Sequence, residues 1–245
     1  MITSQRVLKA VGKHVSRAGL AVRSALGATR DRYCPACRKE VVGFYRYGDE
    51  AEWGCLLCDS SPRERLMHAL LDDGVIKAPA WAAILHCAPN EASLVRRFRA
   101  YAGDYVPADI DPSRYNVPGM QQLDLMAMAD EERFDRIYAS HVMEHVPDDA
   151  VVLSNMRRAL KPGGEAWLLV PLWYKPSEDG PSDLSGRERE QRFGQWDHVR
   201  QYGRDFADRI SAAGLEVDLI DAARLPAETV RRMGLADTLF RARRP

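Results

Sequence analysis

No stretch of this 245-residue sequence is long and apolar enough to cross a bilayer as a helix. Net charge is absent too: 35 Lys and Arg face 35 Asp and Glu. A neutral chain is a poor generic binder of nucleic acid, so a nucleic-acid partner is not expected. The basic N-terminus has no uninterrupted apolar core, so no secretory signal is read there. Cysteine is scarce, five residues, and the number is odd. With no export signal, that usage points to metal or redox chemistry in a reducing cytosol, not to a disulfide framework. No internal repeat is visible. What is present, 46% hydrophobic and 29% charged residues, describes a folded protein with room for one large α/β domain and a small module.

Charge is unevenly spread. Residues 1–32 hold seven Lys or Arg and one acid, Asp31, about +6, leaving about −6 elsewhere. Within them, Leu8, Val11, Val15, Ala18, Val22 and Leu26 recur at helical spacing among Lys9, Lys13, Arg17 and Arg23. This predicts a basic amphipathic helix. Two uses are open to residues 1–30: packing on protein, or a peripheral contact with the anionic inner face of the membrane.

Residues 33–60 carry Cys34-x2-Cys37-x17-Cys55-x2-Cys58. Two tight Cys-x-x-Cys turns, each bringing two thiolates together, supply the tetrahedral sulfur set that zinc prefers. All four positions are filled by protein, so the predicted site is structural. Residues 61–79 read as a linking helix, with Ser61 as N-cap and Pro62 in the first turn.

From residue 80 to 245, short apolar strands alternate with helices, the pattern of a parallel sheet covered on both faces. Strands are expected at 81–85, 105–110, 134–139, 165–171, 215–220 and 238–242. Helices are expected at 92–101, 148–160 and 203–213. Residues 161–164 read as a turn, and 173–197 as a long functional loop.

The run from Phe134 through His141, Glu144 and His145 to Asp149, followed by Lys161-Pro162-Gly163-Gly164, resembles the fourth strand, helix and turn of class I S-adenosylmethionine-dependent methyltransferases. The resemblance covers about residues 80–245. It implies a Rossmann-like seven-stranded sheet with helices on both faces, binding its cofactor at the carboxyl ends of the first strands. By position it assigns Asp109, then Asp111, to the ribose hydroxyls, and Asp124 with Leu125 to the adenine. Ser140 and His141 should lie near the sulfonium. The first loop departs from the family's glycine-rich form. His86 stands at its acidic position, and Ala88, Asn90 and Ala92 stand near its glycine positions, with Cys87 between. Glycine lets backbone approach a ligand closely, so this loop must sit farther off or tolerate small side chains. Cys87 itself reads as a small buried hydrophobe.

Methyl transfer needs an acceptor held in line with the sulfonium and, for a hydroxyl acceptor, a base. His198 and His141 are the candidate bases, while His145, in a Glu-His-Val run, reads as structural. Asp197 is expected to orient His198, and Arg200 to hold an anionic acceptor. The reading is therefore O-methylation of a small molecule or glycan with S-adenosylmethionine and a structural Zn2+. A ribosomal RNA methyltransferase and a non-enzymatic zinc-containing scaffold are the alternatives.

Overall fold

The computed structural model describes residues 4–245. They fall into two units. Residues up to Lys77 together with Asp221–Asp237 make one, and Ala78–Ile220 with Thr238–Pro245 make the other.

The first unit opens with helix α1 (Ser4–Ala25). Leu20 buries against Val42 and Tyr45, Ser16 Oγ accepts from the Arg46 amide at 2.8 Å, and Arg17 pairs with Asp59 at 2.9 Å. This is not the face picked out by apolar spacing: Leu8, Val11, Val15, Val22 and Leu26 are all exposed. The docked face is chosen by Leu20 together with cations that lie over aromatic rings, Lys13 and Arg17 each 5.5 Å from the Tyr45 centroid. Four short strands follow: β1 (Arg32–Cys34), β2 (Lys39–Val41), β3 (Phe44–Tyr47) and β4 (Glu50–Cys55). They pair as two antiparallel ribbons, β1 with β2 and β3 with β4. Helix α2 (Pro62–Asp72) starts with a full capping box, Ser61 and Glu64 each serving the other's backbone amide.

Residues 221–237 lie in this unit, although the alternation of strands and helices assigns them to the larger domain. The reason is Arg65. Its buried guanidinium donates to the carbonyls of Met233 and Gly234 (2.8 and 2.6 Å) and to those of Glu52 and Ser60 (2.6 and 2.5 Å).

The second unit is built on a seven-stranded sheet. After β5 (Ala83–Cys87) come α3 (Ala92–Tyr101), β6 (Asp104–Asp109) and the two-residue β7 (Gln121–Gln122). Then follow β8 (Phe134–Ser140), α4 (Asp149–Ala159) and β9 (Leu160–Leu169). The pair β10 (Glu178–Asp179) and β11 (Arg200–Gln201) flanks helix α5 (Gly186–Phe193). The unit ends with α6 (Phe206–Ala212), β12 (Glu216–Asp221) and β13 (Thr238–Arg243), and α7 (Ala227–Met233) belongs to the first unit. Sheet order is β12-β13-β9-β8-β5-β6-β7, with β13 antiparallel to β9 and the pairs from β9 to β7 parallel. This is the Rossmann-like α/β architecture expected. Ile84, Leu85, Ile137, Ala139, Ala166 and Leu168 are fully or almost fully buried, as strands covered on both faces must be.

Two local expectations change. Residues 161–164 belong to β9, where Gly163 takes a left-handed φ of 73° and its amide bonds to the Arg244 carbonyl. The expected loop 173–197 contains α5, which has its own capping box (Ser185 and Glu188) and a left-handed stop at Gly194.

Candidate active site and cysteine cluster

The chain runs outward from β5 in two directions, to β6 and β7 on one side and to β8 and β9 on the other. The carboxyl ends of β5 and β8 therefore frame the switch point, where open α/β sheets bind ligands. Cys87 pairs with Ala139 across that junction. The residues that follow, Ala88 and Ser140-His141, are the loop starts that border it.

The glycine-free loop has a definite shape. Ala88 adopts φ 48°, a left-handed conformation that an alanine reaches only at a cost. Its amide bonds to the Ala108 carbonyl, and its own carbonyl accepts from Asn90 N at 2.7 Å. The backbone thus makes the turn a glycine would make. Asn90 is exposed. Cys87 is buried, and its thiol is pushed up to about 12 by burial and by the Asp109 charge. His86 lies in the core. Its Nδ1 is 2.9 Å from the Tyr105 hydroxyl, its ring meets Phe98 and Tyr138 edge-on, and its Nε2 stands 3.7 Å from Glu91.

Asp109 ends β6. Its Oδ1 accepts from Asp111 N and its Oδ2 from the Tyr115 hydroxyl, both at 2.8 Å. A carboxylate has further lone pairs, so a diol can still be accepted. Asp111 instead caps the short turn at 112–114, accepting from Ser113 N and Oγ. Asp124 is exposed and turns its own loop by accepting from Met126 N at 2.9 Å, while Leu125 is buried. Asn155 of α4 donates to the carbonyls of Leu125 and Met126 (2.9 and 3.0 Å), a clamp that no local motif announces.

Ser140 Oγ is buried with no hydrogen-bond partner among the described residues. His141 leaves β8 at φ 55°, half-buried, its amide bonded to the Leu169 carbonyl and its Nδ1 3.4 Å from Glu144 Oε1. His198 is brought to the same loop. Its ring meets that of His145 edge-to-face with centroids 4.7 Å apart, and its Nδ1 is 2.9 Å from the Phe193 carbonyl. Burial holds both imidazoles below the ordinary histidine value. Asp197 lies 3.5 Å from His145 Nδ1, so it orients that ring and not His198 as expected.

The expected anion-binding role of Arg200 is also corrected. Its buried guanidinium donates to Asp179 Oδ1 (2.7 Å) and to the carbonyls of Met143, Val146 and Pro147. These partners take four of its five N–H donors, and at 5% exposure the side chain serves to fasten this loop.

In the first unit the four cysteines converge. Cys34 and Cys58 sulfurs are 3.7 Å apart, and those of Cys37 and Cys55 are 4.0 Å apart. Zinc–thiolate bonds of about 2.3 Å in a tetrahedron require sulfurs about 3.8 Å apart, so the set fits the ion. Arg38 and Asp59, one residue past each pair, take left-handed φ values of 56° and 58°, which close the two turns. Hydrogen bonds from Cys55 and Cys58 pull the Cys34 thiol down to about 2, while burial pushes Cys37 up to about 12.

A methyltransferase-domain family model matches residues 81–221, more than half of the chain. The chain belongs to the class I methyltransferases that use S-adenosylmethionine. No curated protein matches it. Among solved structures, a chain of the complex between the Haloferax volcanii Trm112 methyltransferase activator and a methyltransferase is 16% identical. It covers 74% of this chain and 88% of that one, with a TM-score of 0.52. The cyclase SpnF is 14% identical over 99% of this chain and 96% of its own, with a TM-score of 0.53. These likenesses show the fold alone, and one of them is a cyclase, so the sheet by itself does not name the acceptor.

Proposed function

We propose that this enzyme O-methylates a hydroxyl of a small molecule or glycan. The observation that carries the reading is the position of His141. It is a half-buried imidazole on the first residue beyond β8, at the switch point, backed by a buried carboxylate 3.4 Å away. Such a group can take a hydroxyl proton as the methyl arrives, and Glu144 would stabilise the imidazolium formed. Asp109 is proposed to hold the ribose, and the segments 88–90, 124–125 and 140–141 the remainder of S-adenosylmethionine, with His86 and Cys87 supporting the first of them from the core. The cofactor supplies an electrophilic methyl, and the protein positions the acceptor and accepts its proton. His198 is the deeper and more constrained imidazole, and its fixed Nδ1 suits it to a neutral, immobile role.

The cysteine cluster is proposed to hold one structural Zn2+, supported by the sulfur spacing. The exposed apolar stripe of α1, rimmed by Lys9 and Arg23, supports a peripheral contact with an anionic membrane face. Sedimentation with anionic vesicles tests that contact.

Transfer of isotope-labelled methyl groups from S-adenosylmethionine to a panel of hydroxylated small molecules and glycans tests the main reading. Label should appear as methyl ether and fall at least about tenfold in His141→Gln while cofactor affinity is kept. Label found on nitrogen, carbon or RNA would overturn it.

A further inference from the structure

We propose that Glu144, His145 and His198 form a second metal site, separate from the cysteines, for one divalent first-row ion. One ligand atom from each of the three lies within 4.8 Å of the others. Three observations make this more than a chance cluster. Each imidazole has its Nδ1 directed at an acceptor, His198 at the Phe193 carbonyl (2.9 Å) and His145 at Asp197 (3.5 Å). The Phe193 carbonyl places the His198 proton on Nδ1 and leaves its Nε2 lone pair to bind a cation, and Asp197 faces the His145 ring at the longer distance. A backbone carbonyl or a carboxylate behind a ligand histidine is the usual outer support of a metal site. Glu144 is almost fully buried, 1% exposed, and supplies the one negative charge of the set. Finally, two segments more than fifty residues apart are locked together around the cluster. Val199 N bonds to the Glu144 carbonyl at 2.9 Å, and Arg200 bridges to the carbonyls of Met143 and Val146. The ligands are thus held in place by bonds that do not use their own metal-binding atoms.

The donor set decides the kind of ion. Two imidazoles and one carboxylate suit Mn2+, Fe2+, Co2+ or Zn2+, whereas four thiolates select a softer and closed site. Three protein ligands leave at least one position open, as catalytic sites do. The site lies in the loop that begins with His141. An acceptor hydroxyl on the open position would therefore be acidified beside the proposed base. This last step rests on the O-methylation reading, but the metal site itself does not.

The test uses the full-length protein with its cysteine cluster loaded with zinc. Mn2+ is titrated in and free ion is followed by electron paramagnetic resonance, with no acceptor present. One saturable Mn2+ per chain is expected. His198→Gln and Glu144→Gln should each weaken it at least about 100-fold, and Asp197→Asn, which touches no ligand atom, about tenfold. Co2+ at this site should give visible bands without the sulfur charge-transfer absorption of the cysteine site. Retained binding of S-adenosylhomocysteine reports that each variant is folded, and Asp197→Asn keeps the test open if a ligand variant is not. No saturable Mn2+, or equal affinity in wild type, His198→Gln and Glu144→Gln, overturns the proposal. Mn2+ binding with no O-methyl product overturns only the functional reading.

Discussion

The Tyr202 hydroxyl donates to Asp149 Oδ2 at 2.8 Å, and this buried bond ties the end of the 198–202 segment to the start of α4. Arg209 adds a second contact to the same oxygen at 3.0 Å. The sequence pattern His198-Val-Arg200-Gln-Tyr202 thus divides its labour, with Arg200 and Tyr202 fastening the loop that His198 faces. Tyr202→Phe keeps the ring and removes one bond to a buried carboxylate. It should cost about 1–3 kcal/mol of unfolding free energy in urea, with an unchanged denaturant slope. An unaltered midpoint would show that the bond is dispensable.

Ala88 stands in a left-handed turn that costs an L-residue about 1–2 kcal/mol. Glycine removes that cost but loses more entropy on folding, about 0.4–1 kcal/mol. Ala88→Gly should therefore stabilise the protein by about 0.5–1 kcal/mol, seen as a higher Tm by calorimetry, with cofactor affinity little changed. A lower Tm would mean that the methyl group packs productively and that the turn is not strained.

The Arg65 guanidinium lies 3.8 Å from the Phe44 ring centroid while donating to five backbone carbonyls. Burial lowers it to about 10, and the nearby cysteines oppose that shift. Arg65→Met would strand those carbonyls and remove the cation beside the sulfur cluster. A loss of at least about 3 kcal/mol is expected, together with reduced zinc content after gel filtration. Arg65→Lys should not rescue, because one ammonium cannot reach the same fork of acceptors. Full rescue by lysine would show that charge alone is what counts.

What could be read from the chain was whatever is written locally. The Cys-x-x-Cys spacing encodes its own geometry, and the Ile137-Tyr138-Ala139 stretch and the acids opening α4 encode strand and helix. Distant partners were not legible. Nothing near Asn155 marks it as the clamp on Leu125 and Met126, and nothing in 221–237 says that Arg65 draws this segment to the first unit. Arg200 looked like a free cation because its three carbonyl partners are more than fifty residues away. In α1, spacing finds an apolar face, but Leu20, Ser16 and Arg17 decide which face docks.

Asp135 offers a pH test of how the starts of the central strands β5, β8 and β9 are held together. Its Oδ2 accepts from the Ala83 amide and from Lys161 Nζ, both at 2.8 Å. Burial alone would raise its pKa, but Lys161 and the amide outweigh burial, and the carboxyl sits below the ordinary aspartate value. The unfolded chain therefore binds this proton first, near pH 3.9, where the folded state still refuses it. The stabilisation is complete above about pH 4 and is lost as pH falls through the folded value. Asp135→Asn should cost about 1–2 kcal/mol near neutrality and flatten the fall in stability as pH drops below about 4. Urea unfolding across that range measures both effects. Parallel acid limbs for the variant and the wild type would show that other carboxylates carry the acid sensitivity.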